Sequence, residues 1–408
     1  MKKKLLVMVL VMGVMLGCLT FWGDISTLSA AEPYVVGNQT DITGDANVNY
    51  APESEGFRLY IETLNERGGV KGHPIKVVYE DDKSEPSRAA AIAKKLIEVD
   101  KVLAITSLGF SRSQPPVYEL AKKELVPVIT GYTCTEQVWA TQPGNPIFAT
   151  GYVMHPKFHP GAYGFAKVVE KLHPKGAKVA SSGYDTPGGR IWSDLAAQWM
   201  RKMGYEVVMH KDIPPGTVDC TAWVRETVAT NPVIHTHAEG GEILFAIAPA
   251  LEKMGWTRDL LFPDFVTEGD LVKTMERLMT NGEWILWFGR YASAYDNVPE
   301  FNKIREAMKK YGNKFPLSAR HAQGWTMGRL LEAALVKAGW PCTRKDLIAA
   351  LEKTELDTLG LTGGPIKFSP TDHYGQSWWK AYRWDSKKKA LTPVMDWIKI
   401  IPADIASK

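Results

Sequence analysis

Asn65-Glu66-Arg67-Gly68-Gly69-Val70-Lys71-Gly72-His73-Pro74-Ile75-Lys76-Val77-Val78-Tyr79-Glu80-Asp81-Asp82 is the stretch from which the fold of this chain can be read. It ends a helix, turns on glycines, runs one strand and stops in acidic residues. Upstream, Phe57, Tyr60, Ile61 and Leu64 recur at helical spacing, so residues 54–66 read as a helix with one apolar face. Gly68 and Gly69 fall where a helix C-cap needs positive φ. Gly72 and Pro74 close a second turn. Residues 75–79 are β-rich and short, as a strand should be.

Working outward, the same rhythm repeats. A strand at 34–37 leads through a polar loop with Thr43-Gly44 to the first helix. After the quoted strand come helix 86–99 and strand 102–106, nearly all apolar and so buried on both faces. The loop Ser107-Leu108-Gly109-Phe110-Ser111, helix 114–124 and strand 126–129 follow. Then come the loop Thr130-Gly131-Tyr132-Thr133-Cys134-Thr135 and a strand at 147–149.

A second unit restarts with helix 161–172, strand 178–181 and a Gly/Pro-rich loop, 182–189, that contains Tyr184. It continues through helix 191–203, strand 206–210, helix 221–230 and strand 233–236. The loop His237-Ala238-Glu239-Gly240-Gly241, helix 242–254 and strand 260–262 come next. Pro263-Asp264-Phe265 and strand 283–288 close the unit. The last third reads as helices 299–311, 319–338 and 345–351, then strands 365–368, 380–384 and 395–400. Strict βα alternation calls for parallel sheets with helices on both faces. A chain of 408 residues is too long for one ordinary core and calls for two lobes.

Composition narrows the class. Charged residues at 23% and hydrophobic residues at 45% argue against disorder. The net charge of +4 includes a basic leader, and no Lys/Arg block points to nucleic acid. With 14 tryptophans there is indole to spare for stacking a ring-shaped ligand. Lys2-Lys3-Lys4, the apolar run 5–16 and Ser29-Ala30-Ala31 read as a signal peptide over 1–31, with the mature chain beginning at Glu32. Gly17-Cys18 offers the alternative of lipoprotein processing at Cys18. Cys134, Cys220 and Cys342 have no CxxC spacing, and the sequence does not choose a disulfide among them.

The pattern Asn65-x-x-Gly68-Gly69-Val70-x-Gly72-x-x-Ile75, followed by Glu80-Asp81-Asp82 and preceded by Thr43-Gly44, resembles the leucine/isoleucine/valine-binding proteins. These are type I periplasmic binding proteins, the extracytoplasmic receptors of ABC importers. The resemblance implies an α/β fold of two lobes, each a doubly wound parallel sheet, joined by a three-crossing hinge. Crossings near Thr150, Arg290 and Ser369 would divide the chain into 32–149 plus 291–368 and 150–290 plus 369–404. It also implies a small-molecule ligand, a membrane permease as partner, a monomer, no cofactor and no nucleic acid.

Ligands of doubly wound sheets bind beyond the carboxyl ends of the strands. Carried onto this chain, the resemblance places Tyr50 at the first loop. Phe110 and Ser111 would form one carboxylate loop, and Tyr132, Thr133 and Cys134 the other. Tyr184, His237 and Glu239 would contribute from the second lobe, and Asp264 would be the partner of a ligand ammonium. Phe110 and Tyr132 stand where small residues are usual, and His235-Thr236-His237 replaces a tyrosine/glycine run. The expected ligand is therefore an amino acid or an aromatic or branched carboxylate. Packing of Phe110 and Tyr132 into their own lobe, and a helix-capping role for Asp264, are the structural alternatives. His155 and His159 have no assigned role. A periplasmic hydrolase lacks a Gly-x-Ser-x-Gly elbow or phosphate loop. A sensory ligand-binding module is the other alternative.

Overall fold

The computed structural model describes residues 31–402 and 405, apart from 45, 134–135, 156–158, 215, 239–242, 266, 270 and 272–281. The leader, Cys18, Cys134 and Glu239 therefore lie outside the described residues.

The first sheet is wholly parallel. It contains β1 (Tyr34–Thr40), β2 (Ile75–Asp81), β3 (Ala104–Ser107), β4 (Val128–Thr133) and β5 (Ile147–Val153), in the order β2-β1-β3-β4-β5. Its crossovers are α1 (Asn47–Glu66), α2 (Pro86–Glu98) and α3 (Gln114–Glu124). The quoted motif behaves as its residues dictate: Gly68 and Gly69 turn the chain out of α1 at φ 96° and 70°. The acids that end β2 hold the neighbouring loop. Asp81 accepts from the Ile42 amide at 2.9 Å and the Thr43 hydroxyl at 2.6 Å, and Ser84 donates to Asp41 at 2.6 Å.

The second sheet contains β6 (Lys178–Gly183), β7 (Glu206–His210), β8 (Ile234–Ala238), β9 (Asp259–Pro263) and β10 (Ile285–Gly289). Around them are α4 (Pro160–Leu172), α5 (Pro187–Lys202), α6 (Thr221–Thr230) and α7 (Leu244–Lys253). Three further helices follow: α8 (Pro299–Tyr311), α9 (Ala319–Ala338) and α10 (Arg344–Leu351). After a short ladder, β11 (Glu355–Leu356) with β12 (Ile366–Lys367), the chain returns to the second sheet. There it adds the hairpin β13 (Trp378–Asp385) and β14 (Ala390–Lys399). The order is β14-β13-β10-β9-β8-β6-β7. Because β13 runs antiparallel to β10, this sheet is mixed rather than purely parallel.

Most strands run past their expected ends, β1 to Thr40, β2 to Asp81 and β6 to Gly183 among them, so Ser182 stands in a strand. β4 extends to Thr133 and β8 to Ala238, so Tyr132 and His237 stand in strands rather than loops. β5 extends to Val153. In each case polar or glycine residues at the strand end are held in register by a neighbour, which local propensity does not foresee. α1 begins at Asn47 and runs through Pro52, because its N-terminal half is buried against α9.

That helix pair approaches closely. A β-carbon on Gly324 would stand 1.8 Å from the Glu53 carbonyl oxygen, and one on Gly56 2.2 Å from that of His321. The approach brings buried polar residues of both helices together beneath the ends of β3 and β4. The segments linking the sheets are bonded to one another. Tyr291 donates to the Thr150 carbonyl at 3.3 Å, and Gln376 donates to the Arg290 carbonyl.

Candidate functional site

The C-terminal ends of the strands bring the loops of interest to one region, and a buried charged cluster lies among them. Arg290 follows β10 directly and is fully buried. Its Nη1 donates to the Gly131 carbonyl of β4 at 2.9 Å, and its Nε donates to Asp264 Oδ2 at 3.1 Å. One guanidinium thus ties the first sheet to the end of β9. Its plane also lies over the Tyr152 ring, 3.8 Å from the centroid. A desolvated cation over an aromatic face is held by the ring quadrupole.

From α9, Arg320 donates to Gln323 Oε1 at 2.9 Å and passes 3.8 Å from Asp264 Oδ1. Gln323 donates to the Gly131 carbonyl at 3.0 Å. Burial opposes ionisation of Asp264, but Arg290 and Arg320 outweigh it and hold the carboxyl below its usual range. Asp264 is therefore engaged by the protein's own cations. The expected ammonium partner is here the counter-ion of two arginines.

Glu53 of α1 completes the cluster. It is buried, and its Oε2 would stand 2.6 Å from a β-carbon on Gly131. Neither of its carboxyl oxygens has a hydrogen-bond partner. Burial raises its pKa to about 7 against the pull of Arg320 and Arg290. Arg320 Nε and Nη2 are also buried without a hydrogen bond, as is the Thr133 hydroxyl at the end of β4. Orphaned buried polar atoms are rare in folded proteins and call for a partner. Two arginines face one ionised aspartate and one glutamate whose burial favours the protonated form, so the cluster leans positive.

The remaining expected residues fall as follows. Tyr50 is buried in the first turn of α1. Phe110 and Ser111 are partly exposed where a single 3-10 turn (Ser111–Ser113) begins, and Arg112 covers the Phe110 ring at 5.5 Å. The chain enters that loop through Ser107 and Leu108, both left-handed at φ 74° and 65°. Non-glycine residues in that conformation persist only where surrounding structure enforces them. Tyr132 is buried, edge-on to Phe265 at 5.7 Å, with its hydroxyl 3.1 Å from Met154 Sδ. It packs between the sheets rather than lining an open wall.

Tyr184 meets His237 edge-on at 6.0 Å. Ser182 Oγ stands 2.8 Å from His235 Nε2 and 2.7 Å from His237 Nδ1. Burial lowers the pKa of His237 to about 3 and that of His235 well below its usual value. His159 caps α4, its Nδ1 accepting from the Ala162 amide at 3.0 Å. His155 lies edge-on to Trp139 at 6.2 Å. Cys220 and Cys342 are free thiols. A groove of about 950 Å³ lined by Tyr60, Glu66, Lys310 and Trp325 lies between α1, α8 and α9, away from the strand ends.

Sequence reasoning did not select Glu53, Arg290, Arg320 or Gln323. Their one legible trace is in α9, where Arg320, His321 and Gln323 interrupt the face that packs on α1.

Two lobes with a charged cluster between strand ends are the architecture of the two-domain class of binding proteins. The chain belongs to the periplasmic binding protein family, whose model matches residues 33–389. It is 25% identical over 245 residues to an amino acid binding protein of Pseudomonas aeruginosa, covering 59% of this chain and 63% of that one. The match thus spans less than two thirds of that relative's length. Among solved structures, a branched chain amino acid ABC transporter protein from Thermus thermophilus with bound valine superposes with a TM-score of 0.78. The two are 18% identical, over 91% of this chain and 97% of that one. A solute binding protein from R. palustris in complex with 4-hydroxybenzoate gives 0.74 at 20% identity, over 91% and 98%. At such identities the structures establish the fold.

Proposed function

We propose that the protein is an extracytoplasmic solute-binding receptor of an ABC importer, taking up a small organic carboxylate between its lobes and delivering it to a membrane permease. The observation that carries this reading is Arg320. It is a buried guanidinium with two nitrogens that make no hydrogen bond, in a cluster that leans positive. A carboxylate is the geometric match for a guanidinium fork. Membership of the family supports the receptor role, and the valine and 4-hydroxybenzoate carried by similar folds support a carboxylate.

In this reading the lobes are 32–149 plus 291–368 and 150–290 plus 369–404, with Arg290 at their junction. Thr133, Phe110 and Ser111 face the ligand from one side, and Tyr184 and His237 from the other. Tyr50 closes the first loop. Residues 1–31 direct export, and an intact mass beginning at Glu32 is the expected result for protein from a native-like host.

A thermal-shift screen tests the ligand class. Benzoate, 4-hydroxybenzoate, 3-methylbutanoate, valine and leucine would be compared with the corresponding neutral amides. At least one acid should raise the melting temperature where its amide does not, since a ligand that binds only the folded state stabilises it by mass action. Equal shifts for acids and amides would remove the carboxylate from the reading.

A further inference from the structure

The second lobe holds a polar group that the charged cluster does not use. Ser182, His235 and His237 lie on paired strands, with Ser182 opposite His237 in the β6–β8 register. Ser182 Oγ bridges His235 Nε2 and His237 Nδ1 at 2.8 and 2.7 Å. Rings enclose the trio. Trp223 of α6 lies 4.5 Å from His235, Phe262 of β9 lies 5.7 Å from His237, and Tyr184 stands edge-on to His237. All three members are buried, and His237 Nε2 and His235 Nδ1 have no hydrogen-bond partner. No ion pair reaches either histidine among the described residues.

We propose that this trio is a hydrogen-bond relay ending at His237 Nε2 in a neutral subsite of the interlobe cleft, which receives a hydroxyl group of the ligand. The proposal rests on the carboxylate-receptor reading and supplies the opposite end of the ligand. Its placement follows from topology. His237 is the penultimate residue of β8, at the carboxyl end where ligands of such sheets bind, and His235 lies one strand repeat deeper.

Proton bookkeeping makes the site selective. Two neutral imidazoles and one hydroxyl carry one polar hydrogen each. In one arrangement His235 Nε2–H donates to Ser182 Oγ, which donates to His237 Nδ1, and His237 Nε2 bears its hydrogen outward. In the other every bond reverses: His237 Nδ1–H donates to Ser182, the hydroxyl donates to His235, and His237 Nε2 is a bare acceptor. Both satisfy the two internal contacts and neither creates a charge. A ligand hydroxyl can accept in the first and donate in the second, so it fits both. A ligand ammonium or second carboxylate would meet aromatic rings with no counter-ion, which is costly for a buried charge.

The test is a factorial titration by calorimetry with 4-hydroxybenzoate, benzoate, 4-hydroxybenzamide and benzamide. It compares the full chain with Ser182→Ala and His237→Phe. In the native protein the hydroxyl should tighten binding about fivefold, the size of one net hydrogen bond, on acid and amide alike. In both variants that gain should shrink to within about twofold, while the gain from the carboxylate persists. His237→Phe keeps an aromatic ring in place and decides the matter where Ser182→Ala does not fold. No hydroxyl gain in the native protein, or a gain retained in folded variants, overturns the relay. A hydroxyl gain without a carboxylate gain removes the carboxylate from the proposed function and leaves the relay standing. No binding by any of the four overturns both.

Discussion

Glu53 carries a buried carboxyl whose two oxygens have no hydrogen-bond partner, and the sign of its titration follows. Its pKa rises from 4.5 to about 7 on folding, chiefly by burial. Between those values the folded chain keeps a proton that the unfolded chain has released. Stability is therefore lost as pH rises through that window, by on the order of 3 kcal/mol. Glu53→Gln should leave the melting temperature unchanged near pH 4.5 and raise it at pH 8, read by melts at both. It should also separate ligand types. A carboxylate on Arg320 binds more weakly as Glu53 ionises, so benzoate affinity should fall from pH 6 to 8 in the native protein and stay flat in the variant. A ligand whose ammonium sits on Glu53 would show the reverse. His237 has the opposite sign. Burial depresses it from 6.5 to about 3, so the stability it contributes is complete above pH 6.5 and is lost as pH falls toward 3. Asp264→Asn breaks a buried pair and should destabilise the ligand-free protein by about 3–5 kcal/mol. It should weaken an amino acid and its deaminated analogue alike, because Asp264 answers Arg290 rather than the ligand. Little of this cluster is legible in the sequence. Asp264 was visible as a strand-end acid, but a lone Glu in α1 or Arg in α9 reads as part of a solvated face until the helix opposite is known.

The contact of α1 with α9 shows what an element-level reading can and cannot supply. Periodicity alone gives α9 its limits, 319–338, and the Gly68-Gly69 turn gives α1 its end. It does not reveal that the two cross closely enough for Gly324 and Gly56 to abut backbone. Gly324→Ala forces a methyl group into the Glu53 carbonyl. It should cost about 1–3 kcal/mol by overpacking, and move Glu53 away from Arg320 and Gln323. Denaturant melts check the first effect and ligand titration the second. A melt shifted alone, with affinity intact, would mean the helix pair does not position the site. The strands were legible as apolar runs but not to their ends. Thr133 and His237 are held by neighbours in register, and register is a property of the sheet.

At the scale of the molecule, the segments between the sheets meet at Arg290, which holds the Gly131 carbonyl on one side and Asp264 on the other. Hinge closure of the lobes should make the radius of gyration smaller with saturating ligand, measured by small-angle scattering. A radius unchanged by a ligand that calorimetry shows to be bound would rule against such motion. The two-lobed plan was legible because βα alternation restarts after residue 160. The return to the second sheet was implied by family resemblance alone, since residues 378–399 carry no mark of the sheet they join. That late return also bears on how the chain is made. β10 waits for β13, with Leu286 opposite Arg383, and α1 waits for α9. During synthesis neither half can close its core when its first strands emerge. Nascent chains released before residue 319 should remain open to protease in both halves, and chains released between 339 and 378 in the second half alone.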